Sequence, residues 1–186
     1  DTTPPAVPAM KVMPLFTNAT VLTFEWSAAI DAVRYEFSYS KDSGATWNQV
    51  PNLTAQSYAV NIEDVSDGVA VLGKVRAYDG VGNVSVYSGE VQTTIDRTGP
   101  VVTITDPTEA VITNAATFAY EWTAVDAGGG VGGFKIKFNG AEHATTDSPW
   151  AGTLVPGDNT FEVVAIDKLG NEGAPVAAPV VKQVLA

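Results

Sequence analysis

The chain is written twice, and this repetition limits the possible fold more than any other feature. Three fragments recur in the same order. Asp1-Thr2-Thr3-Pro4-Pro5 returns as Asp96-Arg97-Thr98-Gly99-Pro100, a D-x-T-x-P pattern. Glu25-Trp26-Ser27-Ala28 returns as Glu121-Trp122-Thr123-Ala124. Ala77-Tyr78-Asp79-Gly80-Val81-Gly82-Asn83 returns as Ala165-Ile166-Asp167-Lys168-Leu169-Gly170-Asn171, an A-x-D-x-[VL]-G-N pattern. The offsets are 95, 96 and 88 residues in a chain of 186. Two modules, 1–95 and 96–186, each of ordinary domain size, are therefore expected.

Each module reads as strands. Leu22, Phe24 and Trp26 alternate with polar or small neighbours, as do Tyr35, Phe37 and Tyr39, then Tyr58, Val60 and Ile62, then Val71, Gly73, Val75 and Ala77. The second module repeats the pattern with Phe118, Tyr120 and Trp122, then Phe134, Ile136 and Phe138, then Phe161, Val163 and Ala165. A period of two buries one face of a sheet and wets the other, and no segment holds a 3.6-residue apolar period. Gly, Pro, Asn and Asp cluster between the runs, where turns belong. The fold class is all-β: two tandem antiparallel β-sandwiches of immunoglobulin-like type.

Composition removes several function classes. Without cysteine there is no disulfide scaffold, zinc ribbon or thiol nucleophile. Ten Lys and Arg against 21 Asp and Glu give a net charge of −11, which disfavours nucleic acid and anionic membranes as partners. There is no apolar run of membrane-spanning length and no signal peptide at the start, so Asp1 reads as a cut inside a longer polypeptide. Charge divides evenly, with five basic and ten acidic residues before Asp96, and five and eleven from it onward.

The first copy resembles a fibronectin type III domain. The residues that carry the likeness are an early strand ending in Trp26, Tyr35 on the third strand, and Gly73-Lys74-Val75-Arg76-Ala77 followed by a Ser-rich turn into Val86-Tyr87-Ser88. The second resembles the bacterial immunoglobulin-like repeats that open with D-x-T-x-P. Its matching pieces are Val101–Ile104, Phe134–Gly140, Pro156-Gly157-Asp158-Asn159-Thr160 and Asp167–Asn171. The resemblance implies surface or secreted bacterial proteins such as adhesins, surface-layer proteins and polysaccharide-degrading enzymes, in which such modules serve as spacers. Locally, Ser40-Lys41-Asp42-Ser43-Gly44-Ala45-Thr46-Trp47 is similar to the Asp-box of sialidase-type propellers. One copy does not make a propeller, so it reads as a stabilised hairpin with Asp42 accepting loop amides and Gly44 at positive φ.

The acids suggest a metal. In this topology Asp96, Asp126, Asp167 and Asn171 lie at the N-terminal pole of the second module. Asp64 and Asp67, in a loop at the opposite pole of the first module, are expected to reach the same junction. Carboxylates crowded together repel unless a positive charge sits among them, and Ca²⁺ takes six to eight oxygen ligands. These six residues are the candidate Ca²⁺ ligands. The competing reading is that each Asp bonds its own turn backbone. Asp1, Asp31, Asp79 and Asn83 repeat the set at the pole of the first module.

Among other candidates, Trp26 and Trp122 take core positions, whereas Trp47 and Trp150 either pack, Trp150 over a sheet edge, which is the favoured reading, or stack on a sugar ring. His143 is the lone histidine and reads as surface. Gly128–Gly133 lacks the Lys-Ser/Thr of a phosphate loop and reads as a flexible loop. Asn18, Asn52 and Asn83 lie in N-x-S/T. No paired acid and base in a cleft is foreseen, so no enzyme is expected. The sequence points to a spacer pair from a larger bacterial surface or secreted protein, monomeric, with its partners the neighbouring domains of the same polypeptide. The alternative is a module that binds a polysaccharide or a host or cell-surface protein.

Overall fold

The alternating runs become strands because the apolar side chains on one face find the same kind of face on a second sheet. The computed structural model describes residues 1–185, contains no helix among them, and divides into two compact units, Asp1–Asp96 and Arg97–Ala186. No helix of the described residues is long and apolar enough to cross a membrane. The all-β sandwich architecture read from the sequence is what the structure shows.

In the first unit the strands are β1 (Phe16–Thr17), β2 (Val21–Glu25), β3 (Arg34–Ser40), β4 (Asn48–Leu53), β5 (Ser57–Asn61), β6 (Ala70–Tyr78) and β7 (Val91–Ile95). One sheet has the order β1-β7-β6-β3-β4 and the other pairs β2 with β5. Between them lies a core of Leu22, Phe24, Trp26, Tyr35, Phe37, Val60, Ile62, Val71, Val75, Ala77 and Ile95. The leading segment changes sheets. Lys11 N donates to Glu25 O beside β2, and then β1 pairs in parallel with β7. Gly73 has no side chain because Phe24 occupies the space: a Cβ there would come within 2.6 Å of the ring.

The second unit has β8 (Val101–Asp106), β9 (Val111–Thr113), β10 (Thr117–Val125), β11 (Val131–Phe138), β12 (Ala141–Thr145), β13 (Trp150–Thr153), β14 (Gly157–Asn159), β15 (Phe161–Asp167), β16 (Val176–Ala177) and β17 (Val181–Gln183). The leading strand again switches sheets, pairing β8 with β10 and then β9 in parallel with β17. The sheet orders are β13-β10-β8, β12-β11-β15-β16 and β14-β17-β9. Tyr120 and Phe161 stack at 4.2 Å in the core, with Trp122, Ile136, Phe138 and Val163 around them. Asn159 is fully buried and stitches β14 to β17, donating to Val155 O, Gly157 O and Val181 O.

Two expectations change. The Gly128–Gly133 run is not all loop, because its second half opens β11, with Gly132 packed against the Asp167 carbonyl. The outer face of β3 is also not wet. Glu36 is only 7% exposed and Ser38 1%. The segment after β6 folds over them, with Tyr87 donating to Glu36 Oε1 at 2.5 Å and sharing a hydrogen bond with Ser38. Arg76 donates through two nitrogens to the same carboxylate, and Tyr78 adds a third donor residue. Burial raises the Glu36 pKa, but these donors, Tyr87 first, outweigh it and hold the carboxyl below its usual range. Cations and rings alternate along this face: Lys74 lies over Trp47 at 3.6 Å, Arg76 over Tyr87 at 4.7 Å, and Arg34 over Tyr78 at 4.0 Å.

Two substitutions should move stability in opposite directions. Glu36→Ala leaves Arg76 without its carboxylate and is expected to cost roughly 3 kcal/mol. Tyr120 is fully buried, its hydroxyl has no partner, and burial pushes its pKa up to about 12. Tyr120→Phe removes that orphan and should gain about 1 kcal/mol in urea denaturation.

Candidate metal centre

The A-x-D-x-[VL]-G-N repeat is a hairpin closed by its own aspartate. Asp79 Oδ1 accepts from the backbone amides of Val81, Gly82 and Asn83, and Oδ2 accepts from Asn83 Nδ2 at 2.7 Å. In the second unit Asp167 Oδ1 accepts from Leu169 N and Asn171 N, and Oδ2 from Asn171 Nδ2 at 2.7 Å. Gly82 and Gly170 take φ values of 102° and 90°, a left-handed conformation that glycine adopts at no steric cost. Desolvation raises the Asp79 pKa, and hydrogen bonds from the Asn83 side chain and the loop amides bring it below the ordinary value.

Asp167 has acidic neighbours as well. Asp96, Asp126 and Asp167 each bring a carboxylate oxygen to within 4.8 Å of the others. Asp96 and Asp167 are 5% and 4% exposed, and Asp126 is half-buried. Three elements supply them. Asp96 immediately precedes the leading segment of the second unit, Asp126 follows β10, and Asp167 ends β15. Asp126 is aimed by the glycine-rich loop it organises, since its Oδ2 accepts from Gly128 N and Gly130 N. At this separation each pair of charges repels by roughly 3 kcal/mol in a medium of effective dielectric about 20. The amide donors offset part of that repulsion. An oxygen-seeking divalent cation would convert the crowding into attraction, and hard carboxylate and carbonyl donors suit Ca²⁺.

The structure thus gathers Asp96, Asp126 and Asp167, with Asn171 bonded to the last of them. Asp64 is exposed on the first unit, where Lys41 Nζ lies 2.5 Å from its Oδ1 and lowers its pKa. Asp1, Asp31 and Asp79 form no such carboxylate group. There the leading segment is held through its carbonyls, with Asn83 Nδ2 donating to Asp1 O and Thr3 O.

The aromatic candidates are both half-buried. Trp47 ends the Asp-box hairpin under the Lys74 ammonium. Trp150 packs its ring against Phe138, His143 and Phe161 at 5.3, 5.0 and 6.0 Å. Within the hairpin Asp42 accepts from Thr46 Oγ1, Thr46 N and Ser40 Oγ, and Gly44 takes φ 90°. The Thr46 hydroxyl and amide, then Ser40, lower the Asp42 pKa to about 2. Sequence reasoning missed Glu36, Arg76 and Tyr87. Their only signal was a charged residue at an alternating position beside a Ser-Val-Tyr-Ser segment.

No family model matches the sequence. Exoglucanase B of Cellulomonas fimi is 30% identical over 188 residues, which take in 96% of this chain and 16% of that protein. The chain therefore spans only a small part of the curated relative it matches. Among solved structures, a Ca²⁺-stabilised adhesin that helps an Antarctic bacterium bind ice matches 100% of this chain and 50% of its own, with TM-score 0.52 and 16% identity. The fibronectin(III)-like modules of Clostridium thermocellum CbhA match 96% of this chain and 95% of theirs, with TM-score 0.46 and 14% identity. The resemblance to fibronectin III-like and bacterial adhesin modules stands at the level of fold.

The depressed carboxyls set an acid limit. A folded pKa below the unfolded value gives stability that is complete above the unfolded pKa and is lost as pH falls through the folded one. For Asp42, with an ordinary value of 3.8 and a folded value of about 2, that window runs from about pH 4 down to about 2. The urea midpoint should fall across this range, with a shallower fall in Asp42→Asn.

Proposed function

We propose that the chain is a non-catalytic spacer pair within a larger bacterial cell-surface or secreted protein, and that Ca²⁺ bound by Asp96, Asp126 and Asp167 stiffens the leading end of its second sandwich. One observation carries the spacer reading: the carboxylates with the most hydrogen bonds are spent on holding backbone and neighbouring strands. Asp42, Asp79 and Asp167 close their own turns, and Glu36 is sealed beneath Tyr87. General acid–base work needs a carboxyl free to trade a proton with substrate, whereas these are held by the donors of their own fold. The relative supports the same reading, since the chain corresponds to a 16% portion of an exoglucanase. The setting is then extracellular, and the partners are the flanking domains.

Ca²⁺ is supported by the buried carboxylate group and by the Ca²⁺-stabilised adhesin with the same fold. Asp96, Asp126 and Asp167 would supply carboxylate oxygens, and the side-chain carbonyl of Asn171 lies close by through its bond to Asp167. The ion would tie the leading segment to the loop after β10 and the hairpin after β15. Recognition of a ligand through Trp47 or Trp150 has less support, because the first ring is occupied by Lys74 and the second packs on the core.

Thermal unfolding in excess EDTA, in millimolar Ca²⁺ and in Mg²⁺ tests the proposal. At about a hundred times its dissociation constant, Ca²⁺ should add roughly 2.7 kcal/mol and raise Tm by several degrees. Mg²⁺ should do little, and Asp126→Asn or Asp96→Asn should abolish the shift. An unchanged Tm in the wild type would remove the calcium part. Turnover of soluble cellulose derivatives, abolished by substitution of one carboxylate, would remove the spacer part.

A further inference from the structure

The two sandwiches differ on the outer faces of their β3- and β11-containing sheets. The first is closed by Tyr87 and the ladder of rings and cations. The second is open, and β12, β11 and β15 form a recessed floor. Phe134, Ile136 and Phe138 point into the core, so Gly133, Lys135 and Lys137 face outward. The register then places Lys135 between Ala144 and Val164, Lys137 between Glu142 and Glu162, and Gly133 beside Ile166. Two hollows of about 620 and 500 Å³ lie along this face and share Lys135 and Ala144. The floor is apolar and low because its residues are small or β-branched: Gly133, Ala144, Val164 and Ile166. The walls are charged.

The charges are balanced, and four of the six form no ion pair. Lys135, Lys137 and Lys168 face Glu142, Glu162 and Glu172, so three lysines meet three glutamates on a chain whose net charge is −11. Lys135 pairs with Glu172. Lys137 lies in register between two glutamates, yet none of these three forms an ion pair, and their head groups stand open to the trough.

We propose that this trough is a contact site for a neutral glycan chain. Sugar hydroxyls both donate and accept, so a pyranose edge can give protons to Glu142 and Glu162 and receive one from Lys137. Its C–H face can cover Ala144, Val164 and Ile166, removing apolar surface from water. A polyanion is disfavoured by the charge of the chain and by the three glutamates, while a polycation would meet Lys135, Lys137 and Lys168 on the same walls. With no aromatic platform on the floor, the site is a weak one, with dissociation constants of order millimolar. This inference does not depend on the spacer reading or on Ca²⁺.

The test is a ¹⁵N–¹H titration of the full chain with cellohexaose and with mannohexaose, with hexagalacturonate as the anionic control. Shifts from either neutral hexaose are expected at the amides of Lys135, Lys137, Ala144 and Val164 and not around Trp47. Lys137→Ala and Glu162→Gln, both surface changes whose folding the same spectra report, should each weaken binding roughly fivefold. Trp47→Ala should leave the affinity unchanged. The proposal is overturned by no shift from either neutral hexaose at 10 mM, by shifts centred elsewhere, or by a preference for hexagalacturonate. It is equally overturned if these amides move with protein concentration alone, since the trough would then be seating a second copy or the free edge of β12.

Discussion

Each sandwich is organised around a carboxylate that closes the hairpin following its longest central pairing. Asp79 and Asp167 collect the amides of their own turns and the side chain of an asparagine four residues on. That closure sets how the chain leaves β6 or β15. Ser85 N donates to Ala77 O in the first sandwich, and Gly173 N to Ala165 O in the second. In the first, the returning segment carries Tyr87 over Glu36. In the second, the same kind of turn presents Asp167 to Asp96 and Asp126. One local motif therefore leads to two different neighbourhoods.

The difference between the copies bears on function. The first sandwich spends its outer-face cations internally: Arg76 on Glu36, Lys74 on Glu90, and Arg34 on Tyr78 and Asn52. Its outer-face cations are thus engaged within the fold. The second sandwich has open charges along a recessed sheet and a crowded set of carboxylates at one pole.

Much of the fold was legible because it rests on period two, a property that survives without knowledge of partners. Phe24, Phe37, Tyr120, Ile136 and Phe161 sit where alternation puts them. The repeated D-x-[VL]-G-N was legible as a turn, because an aspartate, a positive-φ glycine and an asparagine at that spacing bond one another locally. What could not be read is what arrives from far along the chain. Glu36 is covered by a tyrosine 51 positions away, and Asp64 is claimed by a lysine 23 positions away. Periodicity assigns Glu36 to water, and a loop position such as Asp64 carries no periodicity to read. The acids of the second pole fell between these cases, since their loops could be named but their separations could not.

The central claim is that one turn motif has two roles, closing a hairpin in both copies and holding a cation in the second alone. Hydrogen–deuterium exchange of the full chain with and without Ca²⁺ reads both roles at once. The account predicts added protection at the amides of 126–130 and 167–171 when Ca²⁺ is present, with 79–83 unchanged. Equal protection of both hairpins, or none at either, would contradict it.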